Sequence, residues 1–120
     1  MEMRVEADDH VPIVDIEGEI DHFVAPRLQR QIDDLIDQGT KSLVLDFTQV
    51  NYLDSGGIGV LFSAMKQLVP RDGHMGIVCQ DQNVIRILEL VGLFDERTNV
   101  SLFGERDNAV EMIGKRVAVD

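Results

Sequence analysis

Short apolar runs alternate along this chain with longer segments whose apolar residues recur at the spacing of an amphipathic helix. A run of about four to eight apolar or alternating residues favours a β-strand, whereas apolar residues at i, i+4, i+7 and i+8 favour a helix. The order of these patterns is β-β-α-β-α-β-α-β-α. Strands that alternate with helices are joined by right-handed crossovers into a mostly parallel sheet. The chain is therefore restricted to the α/β class.

The pattern gives approximate element positions. Strands are predicted at Met3–Glu6, Val11–Ile16, Leu43–Phe47, His74–Cys79 and Asn99–Phe103. Helices are predicted to begin at or near Pro26, Ser55, Asp81 and Glu105, with Asp81 as the cap of the third helix. The segment Thr48–Leu53 is predicted as a link between the third strand and the second helix. The acidic turn at Asp8–His10 pairs the first two strands as an antiparallel hairpin. We therefore expect a single α/β domain over residues 1–120, with a mostly parallel mixed sheet of about five strands and about four helices.

Length and charge limit the partners of the chain. Its 120 residues fit one domain with one hydrophobic core. The formal net charge is -11, from 22 acidic and 11 basic residues. This charge repels phosphate backbones and anionic lipid surfaces, so we expect no direct binding to nucleic acid or to a membrane.

The cysteine and histidine content indicates where the protein works and what it does not need. Cys79 is the only cysteine and lies in an apolar run, which favours a buried strand residue. The N-terminal residues do not resemble a signal peptide, and no apolar stretch approaches membrane-spanning length. We therefore expect a cytoplasmic protein. The three histidines are scattered, so the sequence predicts no metal site and no cofactor.

The segment Tyr52–Gly59 places three glycines around the predicted start of the second helix. A glycine in a helix interior costs about 1 kcal/mol relative to alanine. One explanation is structural: Ser55 can cap the helix, and small residues allow close packing. The other is functional: the glycines leave the Ser55 hydroxyl open to another protein or to a nucleotide. The segment is not a P-loop, because it has no Gly-Lys-Ser/Thr ending.

A receiver-like phosphoaspartate domain is one alternative. It would use Asp46, at the end of the predicted third strand, with Asp8 and Asp9 holding magnesium. The lysine that a receiver needs after its fifth strand is missing from Phe103–Arg106. We therefore interpret Asp46 as a residue that caps or hydrogen-bonds the following loop.

A hydrolase is another alternative, with Ser55 as nucleophile and His10, His22 or His74 as base. The G-x-S-x-G elbow is absent, since Leu53 and Asp54 precede the serine. We therefore predict no catalytic residue. His22 follows Asp21 in a loop predicted at the same sheet edge as Ser55. It is either an interface residue or a solvated turn residue.

Three blocks of the sequence resemble segments of one known family. They are Gly18–Asp21 with Ala25–Pro26, Leu45–Phe47 through Leu53–Leu61, and Val84–Leu93. Phe103, Asp107 and Ala109 fit the family's closing helix. The family is the STAS domain, and specifically the stand-alone bacterial anti-sigma factor antagonists. The resemblance extends from about Val11 to Ile113.

The resemblance implies a partner-switching mechanism. The unphosphorylated antagonist binds an anti-sigma factor that is itself a serine kinase, and a sigma factor is released. The kinase phosphorylates the serine that follows an aspartate, here Ser55 after Asp54, and a PP2C-type phosphatase restores it. The protein is then a substrate and not an enzyme. The partner-binding residues implied are Asp21, His22, Asp54, Ser55, Gly56 and Gly57.

Elementary electrostatics supports a switch at Ser55. A phosphate adds about -1.5 to -2 charge, and a helix N-terminus tolerates an anion, so the fold should survive. In an interface the dianion would lie beside Asp54 with no basic residue nearby in sequence. Inverting a complex from about 99:1 to 1:99 needs about 5.5 kcal/mol, and burying an unpaired charge costs a similar amount.

The sequence departs from the family pattern at Gly56, where many antagonists carry a second serine or threonine. With glycine at this position, Ser55 is the only hydroxyl at the helix start that can accept a phosphate. The same substitution changes the surface that a kinase would contact. STAS domains also serve as non-phosphorylated subunits of lipid transporters and of sensory assemblies. That role is the remaining alternative.

Overall fold

The computed structural model has the predicted order of elements, and it describes residues 1–119, with side-chain surroundings as far as Arg116. The strands are β1 (Glu2–Asp8), β2 (Val11–Ile20), β3 (Leu43–Leu53), β4 (Met75–Val78) and β5 (Val100–Phe103). The helices are α1 (Ala25–Asp37), α2 (Ser55–Leu68), α3 (Gln82–Leu90) and α4 (Arg106–Val119). A 3₁₀ turn at Val69–Arg71 follows α2. Asp120, the last residue of the predicted domain, lies outside the described residues.

The strands form one mixed sheet in the order β1-β2-β3-β4-β5. β1 pairs antiparallel with β2, and the other neighbouring strands are parallel. Asp9 and His10 make the β1–β2 turn, and both are left-handed, with φ of 51° and 68°. A two-residue hairpin of type I′ requires this conformation. Over residues 1–119, the predicted α/β class with five strands and four helices is confirmed.

β3 is longer than the sequence predicts. The segment 48–53, predicted as a link, continues the strand and pairs with β2 as far as Ile20 and Leu53. β4 pairs with β3 only as far as Asp46, so β2 is the neighbour of the remaining part. The prediction of a link was wrong. Val50 and Leu53 are buried and anchor the segment, but the polar residues between them hide the strand pattern.

The helices cover the two sheet faces unequally. α1, α2 and α3 share one large hydrophobic cluster with the sheet, centred on residues such as Phe47 and Leu61. α4 packs on the other face through a smaller cluster that contains Ala109 and Ile113. Neighbouring strand residues alternate between the clusters, because successive side chains of a strand point to opposite faces.

Two predictions around α3 are confirmed. Asp81 is the N-cap, and its carboxylate accepts hydrogen bonds from the N–H groups of Asn83 and Val84. Cys79 follows β4 and is only 1% exposed. Desolvation by burial raises the pKa of its thiol, as expected of a structural cysteine.

The parallel strands give the sheet two distinct edges. β2 to β5 all end at one edge, which we call the carboxyl edge, and α1 to α4 all begin from it. Ser55 and His22 lie at this edge. His10 and His74 precede β2 and β4 and therefore lie at the opposite, amino edge. Crevices beside the carboxyl ends of strands are the usual functional positions in open α/β sheets.

Candidate functional site

Ser55 is the first residue of α2, two residues after the end of β3. The N–H of Asp54 donates to the carbonyl oxygen of Ile20 at 3.2 Å, which joins the start of α2 to the end of β2. The loop after β2 brings Asp21 and His22 to the same place. The structure thus brings together all the residues that the sequence singled out as partner-binding, which are Asp21, His22, Asp54, Ser55, Gly56 and Gly57.

Asp54, and not Ser55, caps α2. Its Oδ1 accepts hydrogen bonds from the N–H groups of Gly56 at 2.8 Å and Gly57 at 3.3 Å. Its backbone is extended, with φ of -104° and ψ of -172°, as in most N-caps. The predicted capping role of Ser55 was wrong. Asp54 and Ser55 are both good capping residues, but β3 ends at Leu53, so Asp54 takes the N-cap position and Ser55 becomes the first helical residue. The exposed hydroxyl of Ser55 is therefore not needed as a cap.

The turn before α1 is fixed to the same carboxylate. Oδ2 of Asp54 accepts a hydrogen bond from the N–H of His22 at 3.0 Å and lies 3.4 Å from its Nδ1. The carboxylate of Asp21 accepts from the N–H groups of Phe23 at 3.0 Å and Val24 at 3.1 Å. Both carboxylates therefore hold the site together. The fold also supplies a basic side chain, His22, that lies far from Asp54 in the sequence.

The hydrogen bonds of Asp54 also fix its charge. Desolvation disfavours the ionised carboxylate, but the N–H donors of Gly56, Gly57 and His22 outweigh it. Together with the His22 ring they hold the pKa of Asp54 below its usual value. A negative charge therefore adjoins the Ser55 hydroxyl at neutral pH.

The three glycines of α2 have different structural environments. A Cβ on Gly57 would overlap Cδ1 of Leu53 and lie 3.1 Å from the carbonyl oxygen of Ile20. A Cβ on Gly56 would lie 2.7 Å from Cα of His22. A Cβ on Gly59 would meet no atom of the described residues within 4 Å other than its chain neighbours and the surrounding backbone of α2. Close packing against β2, β3 and the His22 turn therefore requires the first two glycines but not the third.

Sequence reasoning missed two exposed aromatic residues beside this site. Phe23 is 79% exposed, and its ring contacts that of His22 in a tilted arrangement, with centroids 4.2 Å and planes 33° apart. Tyr52, in β3 two residues before Asp54, is 47% exposed. Phe23 falls in the loop before α1, where a large apolar side chain has no helix face to join. An apolar residue at this position in the sequence was the signal that could have identified Phe23 as exposed.

Asp46 is held in a different network. Its side chain is only 6% exposed and lies within β3, not at the strand end. Oδ1 accepts from the N–H and hydroxyl of Thr48, and Oδ2 accepts from Nε of Arg106 at 2.7 Å. Desolvation opposes ionisation, but these donors outweigh it and lower the pKa of Asp46. The expected bond to the next residues is confirmed, although they belong to the strand.

The geometry gives no support to the receiver and hydrolase alternatives. The buried, ion-paired Asp46 is not open to a phosphate donor, and Asp8 and Asp9 lie at the amino edge. His10 and His74 lie at that edge too, away from Ser55. His22 lies at the carboxyl edge, but its Nδ1 faces Asp54 at 3.4 Å, and among the described residues it makes no hydrogen bond to Ser55.

The described residues contain neither a metal-binding cluster nor a membrane-spanning helix. No group of three or more His, Cys, Asp or Glu side chains among them could hold a metal ion. No helix in the same part of the chain is long and apolar enough to cross a membrane.

Comparisons with known proteins agree with one another. A family model described as the STAS domain matches residues 2–109. An anti-sigma-B factor antagonist of Listeria monocytogenes is 32% identical over 97 residues, which cover 79% of this chain and 82% of the relative. An anti-sigma F factor antagonist of Paenibacillus polymyxa is 30% identical over 97 residues, which cover 78% of this chain and 83% of the relative. The crystal structure of an anti-sigma factor antagonist from Mycobacterium paratuberculosis superposes on this chain with a TM-score of 0.81 and 28% sequence identity. The match covers 93% of this chain and 92% of the other.

Proposed function

Since the chain belongs to the STAS domain family, we propose that it is an anti-sigma factor antagonist and that phosphorylation of Ser55 switches its partner binding off. The unphosphorylated form binds an anti-sigma factor that is also a serine kinase, and a sigma factor is released. A PP2C-type phosphatase reverses the modification. The chain is a substrate and not an enzyme, acts as one domain and works in the cytoplasm.

One observation carries the proposal: Ser55 is an exposed residue at the start of α2, while Asp54 caps the helix. A kinase can therefore modify the hydroxyl without removing a bond that the helix needs. A helix N-terminus also favours a nearby anion through the positive end of its dipole, although Asp54 already accepts hydrogen bonds from the N–H groups of Gly56 and Gly57. The fold should accept the phosphate.

The same phosphate is unfavourable in an interface. It would lie next to the ionised carboxylate of Asp54 on a chain whose net charge is already -11. A partner that covers Ser55 would have to desolvate these charges together. Burial of uncompensated charge costs several kcal/mol, and about 5.5 kcal/mol is enough to invert a binding equilibrium from about 99:1 to 1:99.

Gly56 supports a single acceptor site. Many antagonists carry serine or threonine at this position, but here a Cβ would come within 2.7 Å of the His22 backbone. The glycine lets the turn of Asp21 and His22 pack directly against the start of α2. The partner would therefore contact Ser55 and this turn together.

The proposal is tested by phosphorylation in vitro. The chain is incubated with ATP and each purified anti-sigma factor kinase of its source organism, and modified residues are mapped by mass spectrometry. We expect one phosphate, on Ser55, that is stable to hydroxylamine and absent from Ser55→Ala. Ser63→Ala, on the same helix, is the matched control and should be modified normally. No phosphate with any kinase would favour a constitutive STAS subunit, and a hydroxylamine-labile phosphate on Asp46 would favour a receiver-like protein.

A further inference from the structure

We infer that the kinase that acts on Ser55 docks on two features beside it, the exposed ring of Phe23 and the open helix surface at Gly59. The inference rests on the proposed function and names contacts that the partner makes. It does not follow from the fold, because neither feature contributes to the hydrophobic clusters of the described residues.

Phe23 makes two local contacts although it is 79% exposed. Its N–H donates to Asp21, and its ring lies 4.2 Å from the ring of His22, which is itself bonded to Asp54. The aromatic ring therefore has a defined position next to the start of α2. Exposed aromatic side chains held in this way lose little entropy on binding and are frequent anchors of protein interfaces. The partner should offer an apolar pocket for the ring.

Gly59 lies inside α2, where glycine is less favourable than alanine. The described structure offers no reason for it. Apart from its chain neighbours and the surrounding backbone of α2, a Cβ would meet no atom of those residues within 4 Å, and the backbone of Gly59 is helical. Glycine is also used where a second backbone must approach closely. Ser55 and Gly59 are four residues apart on one helix face, about 5–6 Å between Cβ positions. A protein that reaches the Ser55 hydroxyl would therefore cover Gly59.

The two features define the occupant. A large apolar side chain and an open stretch of helix backbone flank one hydroxyl, and the nearby carboxylates of Asp21 and Asp54 are engaged within the chain. The surface therefore fits a protein that brings an active site to Ser55. That protein would contribute an apolar pocket on one side and a closely packed main-chain segment on the other.

The test compares two variants with matched controls. Phe23→Ala is paired with Leu90→Ala, which removes another large side chain, 77% exposed, at the far end of α3. Gly59→Ala is paired with Gly114→Ala in α4, where a Cβ would make an ordinary 3.5 Å contact with Val11. The readouts are the melting temperature and kcat/KM for Ser55 phosphorylation by each purified anti-sigma factor kinase of the source organism.

We expect Phe23→Ala and Gly59→Ala each to lower kcat/KM by about tenfold or more. Phe23→Ala should leave the melting temperature unchanged, and Gly59→Ala should raise it. The two control variants should keep kcat/KM within about twofold of the wild type.

Three outcomes would overturn the inference. If a kinase modifies the wild type and both variants equally well, docking at these residues is rejected while the proposed function stands. If Gly59→Ala lowers the melting temperature, the fold itself needs the glycine. If no kinase modifies even the wild type, the proposed function fails and the inference fails with it.

Discussion

At the residue scale, the adjacent side chains of Asp54 and Ser55 divide two tasks that one residue could have performed. The carboxylate of Asp54 accepts hydrogen bonds from the N–H groups of Gly56, Gly57 and His22. These bonds fix where α2 begins and hold it against the turn before α1. Ser55 is exposed. A modification of its hydroxyl can therefore change the surface without changing the structure beneath it.

This division predicts different stabilities for two neighbouring variants. Ser55→Ala should change the free energy of unfolding by less than about 0.5 kcal/mol, as for an ordinary surface position. Asp54→Ala should lower the melting temperature more, because three N–H groups lose their acceptor. Asp54→Asn, which keeps an acceptor oxygen, should fall between them. Thermal denaturation measures all three, and a Ser55→Ala variant as unstable as Asp54→Ala would contradict the assignment of the cap.

Replacement of the glycines of α2 by alanine should change the stability of the chain in opposite directions along one helix. Gly56→Ala and Gly57→Ala should each cost about 1–3 kcal/mol, because the new methyl group overpacks against His22 or against Leu53 and Ile20. Gly59→Ala should instead stabilise the chain by up to about 1 kcal/mol. Urea denaturation tests the series. Equal effects at the three positions would show that helix propensity, and not packing, governs them.

At the scale of elements, Arg106 joins the start of α4 to three strands. Its guanidinium contacts Asp46 in β3 at 2.7 Å, Glu6 in β1 at 3.0 Å and Asp15 in β2 at 3.3 Å. Asp46 is buried, so this pair differs from the exposed pair of Arg97 and Asp95. Removal of the arginine would leave a buried carboxylate whose one remaining side-chain or backbone donor among the described residues is Thr48.

Arg106→Met should therefore destabilise the fold by about 2–3 kcal/mol near neutral pH, at or below the range for breaking a buried pair. Arg97→Met is the matched control and should have an effect below about 0.5 kcal/mol. Urea denaturation at neutral pH gives both values. Equal losses in the two variants would contradict a structural role for the Asp46 network.

The same network predicts the acid behaviour of the protein. The pKa of Asp46 is lower in the folded chain than in the unfolded one. Its stabilising contribution is therefore complete above the unfolded value of about 4 and is lost as the pH falls through the folded value. Without Arg106 the folded pKa of Asp46 rises towards the unfolded value, so the contribution is smaller and its loss on acidification is complete at a higher pH. Urea denaturation of both proteins between about pH 3 and pH 7 tests this shift, and identical pH profiles would contradict it.

The sequence predicted the elements well where their apolar pattern is regular. The starts of the helices at Ser55 and Asp81 agree with the structure because strong capping residues precede periodic apolar faces. The extension of β3 over residues 48–53 was missed for two reasons. This segment pairs with β2 but not with β4, and among the described residues its buried side chains are Val50 and Leu53 alone, which is too few for a strand pattern. Tertiary pairing, which no local pattern reveals, decides such a segment.

The site was predictable in part for similar reasons. The sequence indicated Ser55 and the nearby loop of Asp21 and His22, and the fold places them together. It did not distinguish Asp54 from Ser55 as the cap, since both residue types cap helices well. It also did not reveal Phe23, because exposure of a single apolar residue depends on how the loop before α1 packs.

At the scale of the whole molecule, we expect phosphorylation of Ser55 to change the surface charge and not the fold, because Ser55 belongs to neither hydrophobic cluster of the described residues. Ser55 phosphorylation should leave the circular dichroism spectrum unchanged and shift the free energy of unfolding by less than about 1 kcal/mol, because the helix N-terminus offsets repulsion from Asp54. Thermal denaturation of the modified protein tests this expectation. Loss of the native spectrum would mean that the phosphate acts by unfolding α2.

The central claim is that one phosphate on Ser55 switches partner binding. Isothermal titration of the purified anti-sigma factor kinase, without ATP, with the unmodified and the Ser55-phosphorylated chain tests it most directly. Full switching predicts tight binding of the unmodified chain and binding weaker by about 10⁴-fold after phosphorylation. Equal affinities for the two forms would contradict the claim, whatever residue the kinase modifies.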